Sequence, residues 1–127
     1  MRTGAVISLI LLAAIVTGGV MLSGAAADAA DECVSAANEA GTLCIMEDWT
    51  RAEALTADYA AKWKASRALL DLLLPKEMLD SVTEAYAELG TGIAFRDVQR
   101  CAEACGTLER HAEDVRMHER LTLENLL

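Results

Sequence analysis

Apolar positions in this chain recur every three to four residues and nowhere alternate over a useful length, which predicts helices and no strands. Four segments carry such a stripe. In residues 29–47, Cys33, Ala37, Ala40 and Cys44 step by four, three and four along one face; Gly41 weakens that segment without breaking it. The second starts near Thr50 and follows Ala52, Leu55, Tyr59, Trp63, Ser66, Leu70 and Leu73. Pro75 then ends that helix or begins the next, because it has no N–H to give the preceding turn. The third, residues 76–89, turns Met78 or Leu79, Val82, Ala85, Tyr86 and Leu89 to one side, and "GTG" at 90–92 is expected to stop it. The fourth, about 95–116, runs through Val98, Cys101, Cys105, Leu108, Ala112 and Val115. The closing "HERLTLENLL" is apolar at Leu121, Leu123, Leu126 and Leu127; it is expected to fold back on the domain, or to serve as an interaction tail.

Ahead of these lies a stretch with no periodicity and no charge, residues 3–27. As a helix it would measure about 38 Å at ~1.5 Å per residue, enough for a hydrocarbon core of about 30 Å. One reading is a transmembrane signal-anchor over residues 1–27. The other is a signal peptide with Arg2 as its basic start and an A-x-A site within 25–27, leaving a secreted soluble bundle. The run from 5 to 22 is longer than the usual signal core of about 7–15 residues. Arg2 on one flank and Asp28, Asp31 and Glu32 on the other orient the amino end inward. Residues 28–127 are then an extracytoplasmic domain on the cytoplasmic membrane.

The predicted fold class is therefore all-α: an N-terminal transmembrane helix, then a four-helix domain of two helical hairpins. "EDWTRAEALTADYAAKW" looks weakly like the second helix of a tetratricopeptide hairpin, with Trp49 at the corner, Ala52 at the close approach, and Tyr59 and Trp63 packing behind. Phe95, Val98, Cys101 and Cys105 echo Trp49, Ala52, Leu55 and Tyr59 at a spacing of 46 residues, longer than the tetratricopeptide period of about 34.

Charge narrows the partners. Beyond residue 27 there are 20 acidic residues and, leaving out Arg2, 10 basic ones. Such a domain is repelled by nucleic acid and by anionic lipid headgroups, so no nucleic-acid partner and no binding of the domain to anionic lipid is expected. Membrane contact is expected through residues 5–27, and the remaining partner is expected to be another membrane or envelope protein.

Candidate chemistry is thin. The four cysteines lie on apolar stripes and read first as small buried hydrophobes. An even count outside the cytoplasm also suggests a disulfide. With turns near Glu47 and Gly92, Cys33 and Cys105 lie about 14 and 13 residues deep, whereas Cys44 and Cys101 differ by about six residues, or ~9 Å. The expected bridge is therefore Cys33 with Cys105. Cys101 and Cys105 share a helix face, but Cys33 and Cys44 are about 16 Å apart along theirs, so no metal is expected. His111 and His118 sit among charges in "ERHAEDVRMHER", a solvated face, and no phosphate-binding loop or other cofactor motif is present. The chain is not expected to be an enzyme, and a thiol-dependent redox or small-ligand role through Cys101 and Cys105 is the alternative.

The order of these features resembles one family. Asp48 and Trp49, Ala52, Trp63, and a terminus running Thr122, Leu123, Glu124, Asn125, Leu126, Leu127 are similar to small bacterial proteins grouped as domain of unknown function 4363, over essentially the whole chain. The third helix, "KEMLDSVTEAYAEL", lacks the His and Arg that the resemblance would place around it. The resemblance implies a single-pass membrane protein of Gram-positive-type bacteria and brings no activity. The expected function is a non-enzymatic protein-interaction or accessory module held at the membrane.

Overall fold

A computed structural model describes residues 2–126; the side chains of 18–23 and 126 lie outside that description. Four helices follow one another: α1 (Arg2–Ile45), α2 (Trp49–Leu70), α3 (Lys76–Ala94) and α4 (Val98–Leu126). There is no strand among the described residues.

The first departure from expectation is at residue 28. The apolar opening and the first bundle helix are one helix of 44 residues, about 66 Å long at ~1.5 Å per residue. Asp28, Asp31 and Glu32 mark a change from apolar to acidic residues, with no break in the helix. "GAAADAA" holds no proline, and alanine has the highest helix propensity, so nothing there stops the helix. Asp28 and Asp31 point outward while Ala26, Ala29, Ala30 and Cys33 face the core.

α1 packs along α4 as well as α2, and α3 lies between α2 and α4, so the helices close into an up-down-up-down bundle. This corrects the tetratricopeptide likeness, in which a hairpin would leave its outer face for the next repeat. Apart from Leu43, the α1 side of the core is built from alanines and cysteines, Ala26 through Cys44, which lets α4 approach closely. Bulk comes from Trp63 and Leu70 on α2, Leu79, Val82, Tyr86 and Leu89 on α3, and Leu108 on α4.

"GTG" does not end α3, which runs five residues past Leu89. The turn falls at Phe95, Arg96 and Asp97, and it repeats the turn at Met46, Glu47 and Asp48. In both, a non-glycine residue adopts the left-handed conformation, Glu47 at φ 57° and Arg96 at φ 52°. Asp48 N–H reaches back to Leu43 O at 2.9 Å, and Asp97 N–H to Gly92 O at 2.9 Å, the Schellman closure. Each Asp then caps the next helix, Asp48 accepting from Arg51 N–H at 3.4 Å and Asp97 from Arg100 N–H at 3.1 Å. The internal echo is thus 49 residues, not 46: Ala52 corresponds to Cys101, and Phe95 to Met46. Phe95 is accordingly exposed instead of facing inward. The same holds at the α2–α3 turn, where the core residue is Leu74 and Leu73 is exposed.

Left-handed geometry costs a β-carbon about 1–2 kcal/mol, which glycine avoids. Arg96→Gly is expected to stabilise the protein by about 1 kcal/mol, part of the gain offset by glycine's greater unfolded-state freedom. Urea denaturation checks this: a raised midpoint is expected, and a lowered one would mean that the Arg96 side chain outweighs the backbone.

The tail does not fold back. α4 continues to Leu126, leaving Leu121 exposed and Leu123 half-buried; the side chain of Leu126 and all of Leu127 lie outside the described residues.

Candidate functional site

The turns set the register between α1 and α4, and the register sorts the cysteines. Asp31 pairs with Arg116. Ten residues on, Gly41 faces Cys105, whose Sγ would lie 3.6 Å from a β-carbon added there. In this antiparallel register Cys33 falls level with residues 113–114, about 12 Å along α1 from Gly41 at ~1.5 Å per residue. Its Sγ instead accepts from the Tyr86 hydroxyl at 3.6 Å. The expected Cys33/Cys105 bridge is therefore not formed, and all four thiols are free. The cause is the misplaced turn. Counted from Asp48 and Asp97, Cys44 and Cys101 are each four residues deep, and it is these two that neighbour one another, with Cys105 close by.

The thiols are poor nucleophiles. Burial, first among the causes, pushes Cys101 up to about 12, and Cys33 and Cys105 up to about 11, from an ordinary 9.0; Cys44 moves the same way. Below pH 9 both folded and unfolded chains keep these protons. Above it the unfolded thiols ionise first, so stability should fall as pH rises from 9 through about 11–12. Urea midpoints at pH 8 and pH 10.5 should show that fall, and Cys101→Ala should reduce it. An unchanged midpoint would contradict the burial argument.

The aromatic residues are positioned by polar links between helices. Trp49 opens α2 half-buried at the corner, and Ala52 is fully buried beneath it. The Tyr59 hydroxyl donates to Glu39 Oε2 at 2.5 Å, tying α2 to α1. Buried Trp63 donates through Nε1 to Thr83 Oγ1 at 2.9 Å. Arg67 donates to the same oxygen at 2.8 Å and pairs with Asp80. These groups are satisfied by one another.

A groove of about 250 Å³ runs between α3 and α4, lined by Glu84, Glu88, Glu103, Arg100 and His111 among others. Arg100 Nε meets Glu88 at 3.3 Å, and His111 Nδ1 lies 3.6 Å from Asp114. It is an open, charged surface without a second histidine. Among the described residues no group of three His, Cys, Asp or Glu converges on a point where a metal could sit.

Apolar surface is left uncovered along the arm, as the charge-free run leads one to expect, and at both ends of the bundle, which sequence reasoning missed. Along α1 every described side chain from residue 2 to 17 is exposed, Ile15 at 70%. At the far end of the bundle the paired turns expose Ile45 (72%), Met46 and Phe95 (74%). At the near end, where α1 leaves, Leu72 (76%), Leu73, Met117 and Leu121 are exposed. Among the described residues no helix is long and apolar enough to cross a membrane. The described part of the arm, 2–17, is about 24 Å long at ~1.5 Å per residue, and side chains 18–23 of the expected span lie outside the description.

The family model described as a domain of unknown function, DUF4363, matches residues 22–126. The chain belongs to this family. The DUF4363 match coincides with the bundle, whose first described residue after the arm is Gly24; the exposed arm lies ahead of it. The match therefore covers less of the chain than the sequence resemblance implied. No curated protein and no solved structure matches the chain.

Proposed function

We propose that the protein is a non-enzymatic accessory module held at the cytoplasmic membrane by the arm of α1, with the bundle outside and its far end offered to another membrane or envelope protein. The arm carries this reading. Large side chains such as Leu9, Ile10, Leu12 and Ile15 project from a charge-free helix that has no partner in the bundle. Water disfavours such a surface, whereas hydrocarbon accepts it. The continuity of α1 favours a retained anchor over a cleaved one, because an A-x-A cut within 25–27 would remove Ala26, which is buried in the core.

For the partner, the far end replaces the tail as the preferred face. Thr122 and Leu123 lie beside Ala26, at the end where the arm leaves, whereas Ile45, Met46 and Phe95 stand at the opposite end, where a neighbour in the envelope could reach them. The thiol-dependent alternative is disfavoured by the burial and raised pKa values of Cys101 and Cys105.

Alkaline carbonate washing of membranes and, separately, protease added to intact cells test the placement. Retention in the pellet with the bundle accessible to protease supports it. Release into the wash, or protection of the bundle in intact cells, contradicts it.

A further inference from the structure

The near end of the bundle carries more information than an anchor requires. A small cavity of about 50 Å³ is lined by Ala26 of α1, Leu73 and Leu74 of the α2–α3 turn, and His118, Glu119, Thr122 and Leu123 of α4. Ala26 also belongs to the charge-free run 3–27. Three separate parts of the chain thus meet at the level where that run gives way to Asp28. The side chains around this level are unusual for a water-facing end. Leu72 is 76% exposed at the tip of the turn, with Leu73 beside it, and Met117 and Leu121 stand four residues apart on α4. Met117 and Leu121 line a surface hollow together with Pro75, so they lie beside the turn rather than across the bundle from it.

We propose that this end of the bundle is a second membrane contact, with Leu72, Leu73 and Leu121 inserted into the outer interface of the same bilayer that holds the arm. It rests on the anchor reading above and adds to it a position and a tilt for the bundle. The occupant follows from continuity. A helix in hydrocarbon up to residue 22 or so brings Ala26 to within about 6 Å of the apolar boundary at ~1.5 Å per residue, and interfacial segments bury themselves by about 5–10 Å. The leucines of the turn stand at that depth. Charge does not draw this end to anionic lipid, since Asp28, Asp71, Glu77, Glu119 and Glu124 outnumber Lys76 and Arg120 there. Zwitterionic lipid should therefore suffice.

The test uses the full chain reconstituted in vesicles of phosphatidylcholine brominated on its acyl chains. Leu72→Trp and, as a control at the far end, Phe95→Trp are compared with the parent, whose own Trp49 and Trp63 give the background. Both replaced side chains are largely exposed, so folding should survive, and circular dichroism checks it. The emission added at position 72 should be blue-shifted and lost to bromine quenching, while that added at 95 should not. If the protein floats with the vesicles but the emission at 72 is unquenched, the second contact is wrong and the anchor stands. If both positions are quenched, the bundle lies on its side, and the end-on contact is wrong. If the protein does not float with the vesicles, the anchor reading fails and this inference with it.

Discussion

Aspartate at both Leu12 and Ile15 is expected to release the protein from membranes while leaving the bundle folded. Both side chains are exposed, and both lie more than ten residues ahead of Ala26, the first core residue of α1 among the described side chains. An acidic residue near the centre of a membrane helix costs about 2.5–3.5 kcal/mol, so two together cost about 5–7 kcal/mol. At ~1.4 kcal/mol per factor of ten, insertion should fall by more than about a thousandfold. The readouts are the fraction retained after alkaline washing and the thermal midpoint of the bundle. The fraction should collapse and the midpoint should hold. Undiminished retention would show that something other than the arm binds the membrane. A lost midpoint would show that residues 12–15 support the fold, against their exposure.

Gly92→Ala is expected to destabilise the bundle, and Gly90→Ala, two residues earlier in the same helix, to stabilise it. A β-carbon at Gly92 would lie 2.9 Å from Cys101 Sγ and 3.1 Å from Cys101 N, inside the α3–α4 contact; one at Gly90 meets nothing within 4 Å. At Gly90 only helix propensity acts, and alanine gains about 0.8–1 kcal/mol over glycine. At Gly92 the same gain is opposed by overpacking, which costs about 1–3 kcal/mol and is hard to relieve because one of the crowded atoms is backbone. The net should be a loss of up to about 2 kcal/mol, with a fall in midpoint of roughly 4–8 °C per kcal/mol for a domain of this size. Adding Cys101→Ala should restore part of it by removing Sγ, but not the whole, because the nitrogen remains. Equal effects at 90 and 92 would contradict the close approach of α4 at this point.

That contrast explains what could be read from the sequence and what could not. Helical periodicity identified all four bundle stripes, because each helix buries one face and the burial is written into the spacing of Val82, Tyr86 and Leu89 or of Cys101, Cys105 and Leu108. "GTG" has two physical meanings, helix stop and close approach, and the chain alone does not separate them. Gly92 permits the close approach; the stop lies at Arg96, a residue with no turn signature. That one displacement of five residues shifted the depth count and so the cysteine pairing, turning Cys44 with Cys101 into Cys33 with Cys105. The start of the first bundle helix near residue 29 was misplaced for a related reason: a change from apolar to acidic residues says which surroundings suit the side chains, while helix continuity depends on the alanines between. The exposed leucines at 72 and 121 lay outside any periodic argument, since a stripe says which face is buried but not where the buried region ends.

The central claim is that one uninterrupted helix is both membrane arm and first helix of the bundle. It is tested most directly by the N-terminal sequence and intact mass of the protein extracted from the membranes of its own host. The chain should retain residues 3–27 joined to the bundle. A mature terminus near Asp28 would contradict the claim, making the bundle a secreted domain that folds without Ala26.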